Sequence, residues 1–469
     1  MSAADAALAD HARAIDTGWL LTMTFNILVM QAGFAGLEVG MSAAASAAAI
    51  AMKNMSDMAV CCIGFWLTGW ALAFGKNAAG QSNAFSGEGQ FLLLGETDMA
   101  RFVFQYAFAA TSVTIVSGAV VGRIRFKHYV LLAFTISSFI YPIVAHVAWD
   151  PTGFLHQMGF VDFAGSTVAH VTGGSIGLAA SLWLGPRPGV FRDTGDYVPQ
   201  RSSPTQALMG AICLWYTWFS FNAGSTKALT NGGATLAAHA AVSTLLASGA
   251  GFLCSLAWSW IRSKGQHIDV FDSVTGLLAG LVAITSGCAS VQPWEAVIVG
   301  ALGSLAALAT VPMLERLRID DSVAVIPVHL VGGAVGTLLT GFFANNPADS
   351  PGVPVPQRLA GALHGGGGEL LGVQALGVLF VVCWASLCFV VVALVVQCCM
   401  GGLRVPSLLL DKVDETERAS HRGPPAASAS HRTVGAAADR SGLAGNSAPD
   451  AAVRERAVKP APLAAAADP

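Results

Sequence analysis

Eleven predominantly apolar runs recur along the chain, at residues 18–40, 58–78, 102–122, 128–149, 163–184, 205–223, 235–261, 272–290, 295–314, 323–343 and 371–400. Each has roughly the 20 residues that a helix needs to cross a hydrocarbon core of ~30 Å. Lipid offers no partner to a free N–H or C=O, so each run must close its hydrogen bonds within itself. The sequence therefore predicts an all-α, polytopic membrane protein with eleven transmembrane helices. Only 11% of residues are charged and 54% are hydrophobic, whereas a soluble domain carries about 25% charge. The net charge of −3 and the scatter of basic residues in short clusters give no face for nucleic acid, so the expected surroundings are a lipid bilayer.

The ends of the chain read differently from its middle. Residues 1–17 lack the basic and apolar regions of a cleavable signal, so the first run is expected to insert itself after a short extracellular N-terminus. Residues 18–403 form the membrane domain, 404–419 a cytosolic C-terminal region, and 420–469 a tail of Ala, Pro, Ser and Arg too poor in large apolar side chains to fold. The nine cysteines lie mostly in apolar runs without a disulfide spacing and read as buried free thiols.

An odd number of spans puts the termini on opposite sides. Outside the tail, the loops after odd-numbered spans hold Lys53, Arg123, Arg125, Lys127, Arg187, Arg192, Arg201, Arg262, Lys264, Arg316 and Arg318. The other side holds only Arg13, Lys76, Arg101, Lys227 and Arg358. The positive-inside rule then places the N-terminus outside and the C-terminus in the cytosol.

One segment occurs twice. Asp162 precedes His170 as Asp321 precedes His329; Gly173 and Gly174 follow the first histidine as Gly332 and Gly333 follow the second, and Gly177 matches Gly336. The copies open the fifth and tenth spans, which run in opposite directions, so the first five and next five spans are expected to be inverted repeats, with the eleventh outside them. A rise of about 1.5 Å per residue carries each imidazole roughly 12 Å inward from its own side, to a common depth near the midplane. The glycines let the two backbones approach.

A core histidine is the ordinary reading in a soluble protein. In a membrane an ionisable side chain at mid-depth is costly and functional by default, and here two stand in symmetric register. A metal site needs more ligands than two imidazoles, and their helices carry no Cys, Asp or Glu at mid-depth; Glu38 in the first span is the one reservation. No metal and no cofactor is expected.

The stretch from Asp162 to Gly174, with Ile176-Gly177-Leu178 and Gly185-Pro186-Arg187, resembles the signature of the ammonium transporter (Amt/Mep/Rh) superfamily, most of all its plant-type members. Met30-Gln31-Ala32-Gly33-Phe34-Ala35, Phe104-Gln105-Tyr106-Ala107-Phe108-Ala109 and Trp218-Phe219-Ser220-Phe221-Asn222-Ala223-Gly224-Ser225 agree in order, and the likeness runs from about residue 18 to about 405. The resemblance implies a transporter and not an enzyme, located in the plasma membrane and assembled as a homotrimer with one pore per subunit. It implies ammonium as substrate, with methylammonium as its analogue.

On the matching positions, the resemblance implies an outer vestibule of Phe108, Trp149 and Ser225 that recruits the cation, and Phe221 beside Phe108 as an aromatic gate. His170 and His329 would line the apolar path for ammonia after the cation is deprotonated. Asp162, at the start of its helix, is expected to cap backbone N–H groups and shape the vestibule without touching substrate, and Asp321 to be a cytosolic cap. Electrogenic uptake and passive ammonia conduction both fit these residues. The alternative reading is an ammonium sensor with little flux. Lys227, two residues after Ser225, should face the bulk or a neighbouring subunit, since a cation at the vestibule would repel ammonium.

Overall fold

A computed structural model describes residues 2–345 and 359–406. Among these residues the regular elements are helices, with two isolated β-bridges between loops. Helix α1 is Ala3–Met41, α2 is Ala44–Phe74 and α3 is Met99–Ala119. Segments Phe126–Thr135, Ile136–Ile140 and Tyr141–Trp149 follow without a break as α4, and Ser166–Val171 runs into Thr172–Leu184 as α5. Helix α6 is Pro204–Gly224, α7 Gly233–Arg262, α8 Val270–Ile284, α9 Pro293–Arg316, α10 Ile326–Phe343 and α11 Glu369–Met400. Eight of these helices are long and apolar enough to cross a membrane; α5, α6 and α8 complete the eleven.

The inverted repeat is written in the contacts. Along α1 and α6, Met23 meets Gly224, Gly33 meets Gly210 and Leu214, and Gly40 meets Ala207 and Ser203, so one chain advances as the other recedes. A Cβ on Gly210 would lie 2.7 Å from the carbonyl oxygen of Gly33, closer than any side chain permits. Helices α5 and α10 cross in the same sense: Thr167 bonds Thr337 at 2.7 Å, Gly174 packs on Leu330 and Gly177 on Val325. First helix thus pairs with sixth and fifth with tenth, antiparallel both times. The close glycines are divided: Gly174 and Gly333 face the partner histidine helix, whereas Gly173 abuts Ile115 of α3 and Gly336 abuts Ala283 of α8.

Two boundaries and the placement of four cysteines differ from the sequence reading for physical reasons. The N-terminal residues continue α1, which starts at Ala3 behind a Ser2–Asp5 capping box. Helix α2 begins well before residue 58, because Lys53, Asn54 and Asp57, polar enough to read as loop, are buried between helices. Lys53 is therefore no loop cation, and Asn54 lies in the bundle with its side chain on the carbonyl of Ile50. All nine cysteines are free, but Cys62, Cys383, Cys398 and Cys399 lie on outward faces of α2 and α11 instead of inside. The tail and Arg358 lie outside the described residues.

Candidate functional site

Both histidines ride on a turn wider than an α-helix. Residues Ser166–Val171 and Ile326–Val331 are π-helical, a geometry that re-aims side chains and tends to occur at functional sites. Each π-turn hangs from an aspartate. Asp162 Oδ1 accepts from the backbone N–H of Gly165 at 2.9 Å and Ser166 at 2.8 Å, and Oδ2 from Thr167 at 2.8 Å and Val168 at 2.9 Å. Asp321 takes two such bonds, from Val325 at 3.0 Å and Ile326 at 2.7 Å. The chain makes the turn three residues after each Asp with positive φ, at Gly165 (99°) and at Ala324 (57°).

The imidazoles meet: Nδ1 of His170 lies 3.1 Å from Nδ1 of His329, with ring centroids 5.2 Å apart and planes inclined by 18°. One Nδ1 must donate and the other accept, so the pair can never carry two protonated rings in this arrangement. His170 is fully buried, and its Nε2 has no hydrogen-bond partner.

A column of rings leads to this pair. Trp149 stands edge-on to Phe108 at 5.7 Å and 81°; Phe108 stacks on Phe221 at 4.1 Å and 25°; Phe221 lies 5.6 Å from His170. On the far side, Phe34 lies 6.2 Å from His329. The indole N–H of Trp149 donates to the carbonyl of Asp162 at 2.7 Å, tying the half-buried tryptophan to the helix cap. Ser225, one turn beyond Phe221, donates its hydroxyl to the Phe221 carbonyl at 2.9 Å. Among the residues expected at the site, His170, His329, Phe108, Phe221, Trp149, Ser225 and Asp162 are linked by these contacts. Asp321 stands apart, capping the other end of the paired helices.

The sequence profile of the Ammonium Transporter Family matches residues 18–416. The chain belongs to this family. It is 35% identical over 376 residues to ammonium transporter 3 of Dictyostelium discoideum, covering 79% of this chain and 85% of that one. It is 33% identical over 408 residues to ammonium transporter 1 member 3 of Solanum lycopersicum, covering 82% and 86%. Among solved structures it is similar to one titled Sensor Amt Protein, with a TM-score of 0.78, 29% identity and coverage of 87% and 98%. Saccharomyces cerevisiae Mep2 follows with a TM-score of 0.75, 26% identity and coverage of 84% and 88%.

Two further aromatic residues bear on the transporter's imidazole pair without having been assigned a role from sequence. Trp218 lies flat against His170, centroids 5.0 Å apart and planes at 13°, with its indole N–H on Thr285 Oγ1 at 2.9 Å. It precedes Phe221 by three residues, one helical turn, and that spacing was the available signal. Phe34 of α1, on the His329 side, is the other.

Ion pairs clamp the loops at either end. Asp150, just after Trp149, is buried; burial pushes its carboxyl up, but the Lys76 ammonium at 2.8 Å and Thr152 outweigh this and hold it below the ordinary value. At the Asp321 end, Asp320 receives both Nε and Nη2 of Arg187 at 2.8 Å. Lys227 is exposed and adopts φ 61°.

Proposed function

We propose that the protein moves ammonium across the membrane by recruiting the cation at Trp149, Phe108 and Ser225, deprotonating it near Phe108 and Phe221, and passing neutral ammonia along His170 and His329. The observation that carries this is the imidazole pair, Nδ1 to Nδ1 at 3.1 Å, directly behind two phenyl rings stacked at 4.1 Å.

The reasoning is one of cost. A cation over an aromatic face gains about 0.5–2 kcal/mol, more where water is excluded, so the outermost rings favour ammonium. Beyond them the column offers no counter-charge, and a full charge in apolar surroundings costs several kcal/mol. Stacked rings leave no gap for any solute, so one phenyl must swing aside for each passage. Ammonia needs only a hydrogen-bond partner, which the free Nε2 of His170 supplies. The expected orientation has Asp162 at the outer end and Asp321 in the cytosol, with three subunits each carrying its own pore in the plasma membrane.

Expression in a strain unable to take up ammonium tests the reading. Growth should be restored by the native chain. Replacing both His170 and His329 by Ala should abolish selective methylammonium uptake; unchanged, selective uptake in that double variant would refute the assignment.

A second reading, an ammonium sensor with little flux, draws support from the likeness to the Sensor Amt Protein and from the closed phenyl pair. It predicts ammonium binding with uptake near background, which the same assay distinguishes.

A further inference from the structure

Behind His329 the apolar column gives way to a buried cluster of charged and polar side chains. Glu38 of α1 is 2% exposed; its Oε2 accepts from Ser117 Oγ at 2.9 Å, and its Oε1 has no partner. Lys53 of α2 donates to the carbonyl and hydroxyl of the same Ser117 at 2.9 and 3.0 Å. Asp57 takes the Tyr129 hydroxyl at 2.6 Å. Thr114 lies within reach of three acceptors, Gln31 at 2.7 Å, Asp57 at 3.2 Å and Asn54 at 3.3 Å, yet a hydroxyl has a single hydrogen to give.

Glu38 and Thr114 line a cavity of about 10 Å³ together with Phe34, Gly118, Val325 and His329. That is about the least volume that holds one molecule the size of water, and ammonia and ammonium are of that size. The cluster counts two carboxylates, Glu38 and Asp57, against one ammonium group, Lys53. Ionised throughout, it lacks one positive charge in a place where an unpaired charge is costly.

We propose that this cavity is an inner ammonium site, with Glu38 as its anionic partner, where ammonia that has passed His329 regains a proton. The inference rests on the transport reading above. In the empty site the missing charge is a proton on Glu38. Arriving ammonia takes it: the carboxyl O–H bond breaks, an N–H bond forms, and ammonium remains paired with the Glu38 carboxylate. When the cation leaves, hydronium from water on that side returns the proton to Glu38 and leaves as water. The site thereby traps the substrate as an ion on the far side of a path that only the neutral form crosses.

Infrared difference spectroscopy on the full chain in lipid vesicles, perfused with ammonium chloride against sodium chloride, reads the step directly. The expected spectrum loses a carboxylic-acid carbonyl stretch and gains a carboxylate stretch. Glu38→Gln should abolish this exchange and Glu38→Asp should keep it at a shifted position. On the same vesicles, Glu38→Gln should lower the saturating methylammonium uptake at least about tenfold and leave the half-saturating outer concentration unchanged. Thr114→Val, which keeps every carboxylate and serves if Glu38→Gln does not fold, should raise the half-saturation of the infrared response about tenfold. A carboxyl exchange that persists in Glu38→Gln, or its absence from the native protein, overturns the site. Native methylammonium uptake without the exchange sinks the site alone; the exchange without native uptake sinks the transport reading alone.

Discussion

Trp218 lies parallel to His170 at 5.0 Å and is itself pinned by Thr285, so one face of the imidazole is fixed by a ring that cannot turn. An aromatic stack contributes about 0.5–1.5 kcal/mol beyond the area it buries. Trp218→Leu should therefore let His170 leave the geometry that puts its Nδ1 on His329 and cut methylammonium uptake by up to about tenfold. Trp218→Phe, which keeps a flat face, should retain most of it. Equal uptake by native protein and Trp218→Leu, at matched membrane abundance, would show that the stack positions nothing.

The two caps predict an asymmetry. Asp162 holds four N–H groups with two oxygens, whereas Asp321 holds two. Asparagine keeps one acceptor and turns an NH2 group toward donors, so Asp162→Asn strands two N–H groups and Asp321→Asn one. Bonds to a charged acceptor contribute about 1.5–3 kcal/mol each. Asp162→Asn should lower the thermal midpoint of the purified transporter more than Asp321→Asn does. It should also disturb Trp149, whose indole hangs on the Asp162 carbonyl. Equal shifts in the two variants would contradict the count of bonds.

Much of this was legible because membrane helices announce themselves by apolar length. The eleven runs became α1 to α11, and the repeated Asp-to-His spacing became two antiparallel helices that meet at their histidines. The start of α2 was hidden by polarity that resembles a loop, yet Lys53, Asn54 and Asp57 face inward from α2, where each finds partners on other helices. Such satisfaction depends on side chains far apart in sequence, as with Lys53 and Ser117, and no local pattern reveals it. The same is true of Trp218, whose role appears only once α5 lies beside α6.

Acid should open the Arg187–Asp320 clamp. Burial raises the Asp320 carboxyl, but the Arg187 hydrogen bonds and charge outweigh this and leave it below its ordinary 3.8. A carboxyl lowered on folding contributes stability that is fully present above the unfolded value and lost as pH falls through the folded one. The thermal midpoint should therefore drop below about pH 3.8, and Asp320→Asn should remove that component of the drop. At neutral pH the same variant leaves Arg187 buried without its partner, which costs about 3–5 kcal/mol. A thermal midpoint unchanged by Asp320→Asn at neutral pH would mean the clamp contributes no stability.

The repeat also contains an unrepaired position. Gly165 and Ala324 stand at the same offset from their aspartates and both adopt positive φ, 99° and 57°. Glycine enters that region freely, whereas a residue with a Cβ is strained there by roughly 1–2 kcal/mol. The Ala324 side chain is buried, so its methyl group also contributes apolar burial of about 0.8 kcal/mol, which a glycine would forgo. Strain exceeds burial by a small margin, and the freer unfolded glycine chain offsets part of that too. Ala324→Gly should consequently be close to neutral or slightly stabilising, whereas Gly165→Ala, which adds strain and places a Cβ 3.4 Å from Trp149, should destabilise by at least about 1 kcal/mol. Thermal unfolding of the two single variants checks the pair; a larger loss for Ala324→Gly than for Gly165→Ala would reverse the reading of the two turns.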